Sequence, residues 1–295
     1  MASSVEELTG IVGALRISAS HDFPRPHVGV VGAVHGNEPC GLRAIERLRA
    51  ELVGGELSLR DGTLFLIHGN PRASEEQKRH TAGGADLNRF FDYRFVDEMA
   101  TDTWLYEHHR AFALKPLLES LDSVLDLHST TAPSPPFAIA SPVPESQAMA
   151  EALGVGYVTL GWDRPGLLGD KVLISTTTRR GLPAVSVECG QHDDPRSAAV
   201  AYLCARRMLA YLGLLDPIAD QAPRISKRLM LQAAVKRPSP TFRFARPLRS
   251  MERLEKGERI GSDENLVLSA NGPCWVIMPN DGVPVGEDML YIAHD

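Results

Sequence analysis

Three apolar runs of small and β-branched residues frame the chain: Val28-Gly-Val-Val-Gly-Ala-Val34, Val124-Leu-Asp-Leu127 and Ala184-Val-Ser-Val187. Near-continuous apolar runs of this length are the pattern of strands buried on both faces of a parallel sheet. Each stops abruptly at a polar side chain, His35, His128 and Glu188 respectively. After the first run the period changes from two to that of a helix. Pro39 opens it, where a missing N–H costs little, Leu42, Ile45, Leu48 and Leu52 recur at helical spacing, and Gly54-Gly55 ends it. A strand over 63–68 follows, so strand, helix and strand form a βαβ unit with parallel pairing.

The rest of the first two thirds continues the alternation. Residues 11–18 read as an edge strand. Residues 98–120 read as a helix, with Leu105, Phe112, Leu117 and Leu121 near one face and with His108 and His109 in solvent. A strand spans 121–129, Pro133-Ser-Pro-Pro136 breaks the chain, and strands at 137–140 and 157–160 bracket a helix over 145–153. Residues 161–181, rich in Gly, Asp and Thr, are expected to rim a pocket. Residues 193–213 form a closing helix with Ala198, Tyr202, Ala205 and Leu209 as its stripe. The expected class is α/β, a mixed, largely parallel sheet flanked by helices. From Asp216 the texture changes. Prolines at 217, 223, 238, 240 and 247 interrupt short alternating stretches, with strands expected at 229–235, 241–244, 266–268, 275–277 and 290–293. The division expected is a catalytic domain over 1–215 and a small β-rich domain over 216–295.

Open α/β sheets bind ligands at the carboxyl ends of their strands, which is where the polar residues cluster. His35-Gly-Asn-Glu38 can close on one metal ion from two directions. A catalytic zinc needs three protein ligands and one open position, and His128 in Asp-Leu-His-Ser-Thr-Thr131 is the best third ligand. Read alone, His-x-x-Glu is equally a loop histidine followed by a first-turn acid favoured by the helix dipole. Two further strands ending in polar groups add weight to the metal. Asp126, two residues before His128, points to the same face of its strand. It fits both a group that orients a ligand and an ordinary strand-end carboxylate. Residues 72–95 are too polar and glycine-rich for a core element, and long ordered loops are usually functional. Within them Arg89 has the planar fork that suits a carboxylate, and Asn88 adds a donor. His80 reads as a loop residue.

Four motifs in order, His35-Gly-Asn-Glu38, Asp86-Leu-Asn-Arg89, Asp126-Leu-His-Ser-Thr-Thr131 and Val187-Glu-Cys-Gly190, resemble the succinylglutamate desuccinylase/aspartoacylase family across roughly residues 28–215. The resemblance implies a zinc carboxypeptidase-like fold and a zinc-dependent amidohydrolase that removes an acyl group from an N-acyl amino acid or similar small amine. It implies one Zn²⁺ per subunit on His35, Glu38 and His128, and a substrate carboxylate held by Asn88 and Arg89, with Arg179 as a further contact. Family members also carry an arginine that polarises the scissile carbonyl. Arg79 is the nearest candidate, although Gly83-Gly84 alters the spacing. Glu188 then takes a proton from the attacking water and passes it to the leaving amine. Relatives have a C-terminal β domain that shapes the substrate channel, and aspartoacylases offer a tyrosine from it. Tyr291 is the only tyrosine of that segment, in surroundings unlike the family's. Relatives assemble differently, so a homo-oligomer is one expectation. Two rival readings are a metallocarboxypeptidase acting on short peptides and a non-catalytic metal-containing binding protein.

Composition narrows this further. The chain of 295 residues has a formal net charge of −6 and no Lys/Arg-rich block, so no electrostatic footprint for nucleic acid or an anionic membrane. Cys40, Cys189, Cys204 and Cys274 are scattered and read as free thiols of a reducing compartment. The amino end lacks the pattern of a signal peptide, and no apolar run reaches the roughly 18–20 residues that span a bilayer. A cytoplasmic protein is expected.

Overall fold

The computed structural model describes residues 4–20, 22–92, 101–164, 166–167, 169, 171–219 and 227–295. Its first half contains β1 (Ser4–Glu7), β2 (Ala14–Ser18), β3 (His27–Gly32), α1 (Pro39–Gly54), β4 (Thr63–His68) and α2 (Pro71–Glu75). Next come α3 (Tyr106–Ser120), β5 (Ser123–Thr130), β6 (Phe137–Ala140), α4 (Pro144–Ala152), β7 (Tyr157–Leu160), α5 (Ser175–Thr178), β8 (Ala184–Gln191) and α6 (Arg196–Tyr211). The carboxyl-terminal part is all strand: β9 (Lys227–Lys236), β10 (Arg243–Phe244), β11 (Glu252–Leu254), β12 (Arg259–Ser262), β13 (Val267–Ser269), β14 (Cys274–Ile277) and β15 (Asp288–His294).

Twelve strands form one sheet in the order β1-β2-β4-β3-β5-β8-β6-β7-β9-β15-β14-β11, and β10, β12 and β13 form a second. The centre, β4-β3-β5-β8, is parallel throughout. One face of it packs α1, α4 and α6 around Val28, Leu48, Leu125, Val187 and Met208. The other packs α3 against Val31, Ile67 and Val124 through Leu114, Leu118 and Leu121. That double coverage is why these strands lack polar alternation. Past residue 215 the sheet continues without a break, since β9 pairs in parallel with β7. The carboxyl-terminal strands rest on one apolar cluster shared with Phe137, Ile139 and Trp162 and on a second of their own around Phe242, Leu254 and Leu290.

Register lines up the strand tips. Gly32 lies opposite Leu127, and His128 opposite Glu188. The tip of β3 meets α1 at a contact only glycines permit. A Cβ on Gly32 would come within 2.4 Å of the Gly41 carbonyl carbon and 2.7 Å of Leu42 N, both backbone. The turn that presents His35 and Glu38 is therefore held by a strand–helix crossing with no side chain in it.

Several expectations are corrected. The strand over 11–18 is shorter, 14–18, and is not the edge, because β1 pairs outside it. The loop over 72–95 contains α2 and a 3₁₀ turn, Leu87–Arg89, and buries Leu87 and Phe91 completely. Leu87 and Phe91 thus anchor a polar stretch in the core; residues 93–95 lie outside the described residues. The helix over 98–120 begins at Tyr106, with 98–100 outside the described residues. Its inner face is Glu107, His108, Arg110, Ala111, Leu114, Leu117 and Leu118, whereas Leu105 and Phe112 are exposed. His108 is buried, contrary to expectation, and His109 is exposed as expected. Strands β11 and β12 escaped the pattern because Glu252-Arg-Leu and Arg259-Ile-Gly-Ser carry too few apolar residues to show alternation.

Gly32→Ala is expected to destabilise the protein by about 1–3 kcal/mol through overpacking at this crossing, measured as a lower urea midpoint with unchanged m-value. An unchanged midpoint would mean that strand and helix separate freely.

Candidate metal centre and substrate cavity

Three strand tips and one loop converge. His35 and Glu38 come from the turn between β3 and α1, His128 from β5, and their ligating atoms all lie within 4.8 Å of one another. All three are buried. Each imidazole turns Nδ1 to the same carboxylate: His35 Nδ1 lies 2.9 Å from Glu38 Oε1, and His128 Nδ1 lies 2.9 Å from Oε2. Each also turns Nε2 to an aspartate, His35 to Asp86 Oδ1 at 2.9 Å and His128 to Asp126 Oδ2 at 2.7 Å. Donation of Nε2–H to these carboxylates sets the tautomer in which the Nδ1 lone pairs face inward. Two lone pairs and an anionic carboxylate then meet at hydrogen-bond distance. Protons or a cation must lie between them, and two imidazoles with one carboxylate are the donor set of a catalytic zinc.

The electrostatics agree. Burial alone would raise the Glu38 carboxyl, but His35 and His128 hold it well below the usual range. Asp86 is likewise held low against its burial by His35, Arg79 and Arg89. His128 is raised well above an ordinary histidine despite burial, by Asp126 and Glu38. Gly36 is needed for close approach, since a Cβ there would meet the Ala73 carbonyl at 2.1 Å.

Glu188 stands beside this group on β8. It is buried, and among the described residues its Oε2 has no hydrogen-bond partner. Burial pushes its carboxyl well above the usual range; His128 opposes the shift and Glu38 adds to it. Cys40 and Cys189, next to the ligands in sequence, are buried, and Cys40 Sγ points at the His128 carbonyl at 3.3 Å.

A cavity of about 970 Å³ opens in front of the cluster and reaches His35, Glu38, Arg79, Asn88, Arg89, His128, Arg179 and Glu188 alike. Arg79 donates Nη2–H to Asp86 Oδ2 at 2.8 Å and places Nη1 3.6 Å from Glu38 Oε1, with about half of its side chain in solvent. Asn88 accepts the Leu173 N–H on Oδ1 at 2.7 Å, which leaves its NH₂ as the group it can offer. Arg89 spends one N–H on the Asn88 carbonyl, and its Nη2 lies 3.6 Å from Asp86 Oδ2. Arg179 donates to the Phe91 carbonyl at 2.6 Å, tying α5 to the loop. Its neighbour Arg180 turns away to the Leu121 carbonyl at 2.9 Å. His80 also lines the cavity but stands outside the ligand group.

Other groups either were named from sequence without a settled role or were not singled out. Asp86 was visible only as part of a motif. Asp126, left open between two readings, orients His128. His192 joins Ser129 Oγ through Nδ1 at 2.8 Å, and the Ser129 N–H supports Glu38 Oε2 at 3.1 Å. Tyr291 lines the far wall of the cavity, its ring edge-on to Trp162. Nothing in its local sequence signals this, because β15 reaches the site only through the continuous sheet.

A mixed sheet whose parallel core ends in a buried His-Glu-His group with carboxylate-oriented imidazoles defines an α/β protein with a candidate divalent-metal centre. Residues 24–204 match the succinylglutamate desuccinylase/aspartoacylase catalytic domain, and the chain belongs to that family. Among curated relatives, a succinylglutamate desuccinylase of Erwinia tasmaniensis is 38% identical over 84 residues, 28% of this chain and 24% of the relative. The N-acyl-aromatic-L-amino acid amidohydrolase (carboxylate-forming) of Rattus norvegicus is 35% identical over 115 residues, 37% of this chain and 35% of the relative. The matches thus span between a quarter and about a third of those relatives' length. In fold, the chain resembles a succinylglutamate desuccinylase from Vibrio cholerae with TM-score 0.76 at 19% identity, covering 100% of this chain and 91% of that one. It also resembles the ectoine utilization protein EutE (DoeB) from Ruegeria pomeroyi, with TM-score 0.74 at 17% identity and coverage of 100% and 99%. Among the described residues no helix is long and apolar enough to cross a membrane.

Asp126→Asn is expected to weaken divalent-ion affinity about 10- to 100-fold, read by competition with a chromogenic chelator. Unchanged affinity would reduce Asp126 to a strand-end carboxylate.

Proposed function

We propose that the protein is a zinc-dependent amidohydrolase that removes the acyl group from an N-acyl amino acid or similar small amine. The observation that carries the proposal is Glu188, a buried carboxyl on the cavity wall whose Oε2 has no hydrogen-bond partner among the described residues, beside a three-donor centre. A binding protein needs the donors but has no use for an acid at that place whose proton affinity burial raises. Family membership and the amidohydrolase names of the relatives support the same reading.

His35, Glu38 and His128 would hold the ion. When bound, zinc supplies Lewis acidity, which makes water nucleophilic near neutral pH and withdraws electron density from a carbonyl. Every other role falls to the chain. Asn88 and Arg89 hold the substrate carboxylate, with Arg179 at the same wall, and that fixes the amide over the centre. Glu188 takes a proton from the attacking water as the new C–O bond forms. It returns that proton to the departing nitrogen as the C–N bond breaks, leaving a carboxylate and a free amine. The raised affinity of Glu188 for protons suits it to hold one between the two steps. The Arg79 guanidinium, 3.6 Å from Glu38 Oε1, would add positive charge beside the developing oxyanion.

The amide type separates this reading from a metallocarboxypeptidase. A panel of N-acetyl, N-succinyl and longer N-acyl amino acids should be hydrolysed in preference to short peptides. Activity should vanish on chelation and return with Zn²⁺. Turnover of peptides alone would favour the carboxypeptidase, and turnover of neither substrate class would favour the binding protein. Glu188→Gln should lower kcat by about 10²–10⁴-fold while zinc content stays stoichiometric by atomic absorption. Near-normal turnover in that variant would remove Glu188 from the chemistry.

A further inference from the structure

Arg79 and Asp86 stand at the two ends of a short arch of chain, closed at its base by their ion pair at 2.8 Å. Inside the arch sits Glu107, from the first turn of α3, fully buried. Its Oε1 accepts the Thr81 N–H at 2.8 Å and the Asn70 Nδ2–H at 3.4 Å. Its Oε2 accepts the Ala85 N–H and the Thr81 hydroxyl, both at 3.3 Å. Four donors, three of them within residues 81–85, thus converge on one carboxylate. They hold it below the usual glutamate range although burial opposes them, so the group is an anion at neutral pH.

The arch is built to receive it. A Cβ on Gly84 would lie 2.3 Å from Glu107 Oε2 and 2.4 Å from Thr81 Oγ1. The neighbouring side chains of α3 act on the same loop. Arg110 donates to the Gly69 and His68 carbonyls at 2.7 and 2.6 Å, and His108 packs its ring on Phe90 at 3.9 Å. One helix turn therefore grips residues 68–70, 81–85 and 90 from behind. The far side of that loop carries Arg79, Asp86, Asn88 and Arg89 into the cavity.

We propose that Glu107 is a positioning residue for the hydrolytic site: by pinning residues 81–85 it sets where Arg79 and Asp86 meet Glu38 and His35. The kinetic consequence rests on the amidohydrolase reading; the mechanical one does not. Glu107 touches neither substrate nor metal ligand, so it acts only through the arch. Glu107→Gln keeps the shape and the acceptor for Thr81 but sets an NH₂ against the Ala85 N–H, donor facing donor. Gly84→Ala strikes the same contact from the other side.

The test compares full-length, zinc-loaded wild type, Glu107→Gln, Gly84→Ala and the double variant. Hydrogen exchange by mass spectrometry is read over residues 79–91, with β5 as internal reference. Both single variants should exchange at least tenfold faster over 79–91 with β5 unchanged. On the best N-acyl amino acid they should lose at least tenfold in kcat per zinc-loaded site, and the double variant should be no worse than Gly84→Ala alone. A merely structural role would reduce the folded fraction and leave kcat per loaded site intact, which would overturn the proposal. Additive losses, or unchanged exchange over 79–91, would overturn it as well. If wild type hydrolyses no N-acyl amino acid, the amidohydrolase reading falls, and the exchange comparison still decides whether Glu107 pins the arch.

Discussion

The fold is built around a knot of ionisable groups in its interior, His35, Glu38, Asp86, Asp126, His128 and Glu188, all of them buried except the partly exposed Asp86. An isolated charge in such a place costs several kcal/mol or more. The knot is affordable because its members compensate each other in sequence. Asp86 and Asp126 take the outer nitrogens of the imidazoles, the inner nitrogens face Glu38, and the Ser129 N–H covers one Glu38 oxygen. Two acceptors of the knot stay open among the described residues, Asp126 Oδ1 and Glu188 Oε2. Of the two, Glu188 lines the cavity, so that is where chemistry can enter.

Such a network needs a frame that does not yield. Parallel strands covered on both faces supply it, and they deliver His128 and Glu188 as register partners rather than as neighbours in a loop. The His35–Glu38 turn is fixed differently, by the bare crossing of Gly32 over Gly41 and by the closeness of Gly36 to Ala73. The third component, residues 69–91, lies outside the strands and meets the sheet through Leu87 and Phe91. It is held by α3 behind, by buried Leu87 and Phe91 below, and by Leu173 and Arg179 across the cavity. The strand tips and the turn thus carry the His35-Glu38-His128 group, and the loop carries Arg79, Asn88 and Arg89 to the cavity.

Much of this was legible along the chain. An apolar run that stops at a histidine or glutamate is a local signal, and it gains force here because three such runs end the same way. That is why His35, Glu38, His128 and Glu188 could be singled out and why the structure brings them together. Asn88 and Arg89 were singled out by their chemistry, and both line the cavity. Asp126 was half legible, since alternation put it on the face of His128 without saying what it touches. His108 was misread because polarity was taken for exposure, when its ring instead packs on Phe90. Phe112 was misread in the opposite sense.

What the chain by itself determined is therefore local: periodicity chose the strands and the principal helix, and abrupt polarity marked the tips. These depend on neighbours within a few residues, and backbone geometry carries that information directly. The tertiary structure alone decided the pairings between distant segments, Asp86 with His35, Glu107 within the 81–85 arch, Tyr291 on the cavity wall. Each brings together groups whose separation along the chain says nothing about their distance, because the register of a sheet and the packing of a helix on a loop are set by the whole core at once.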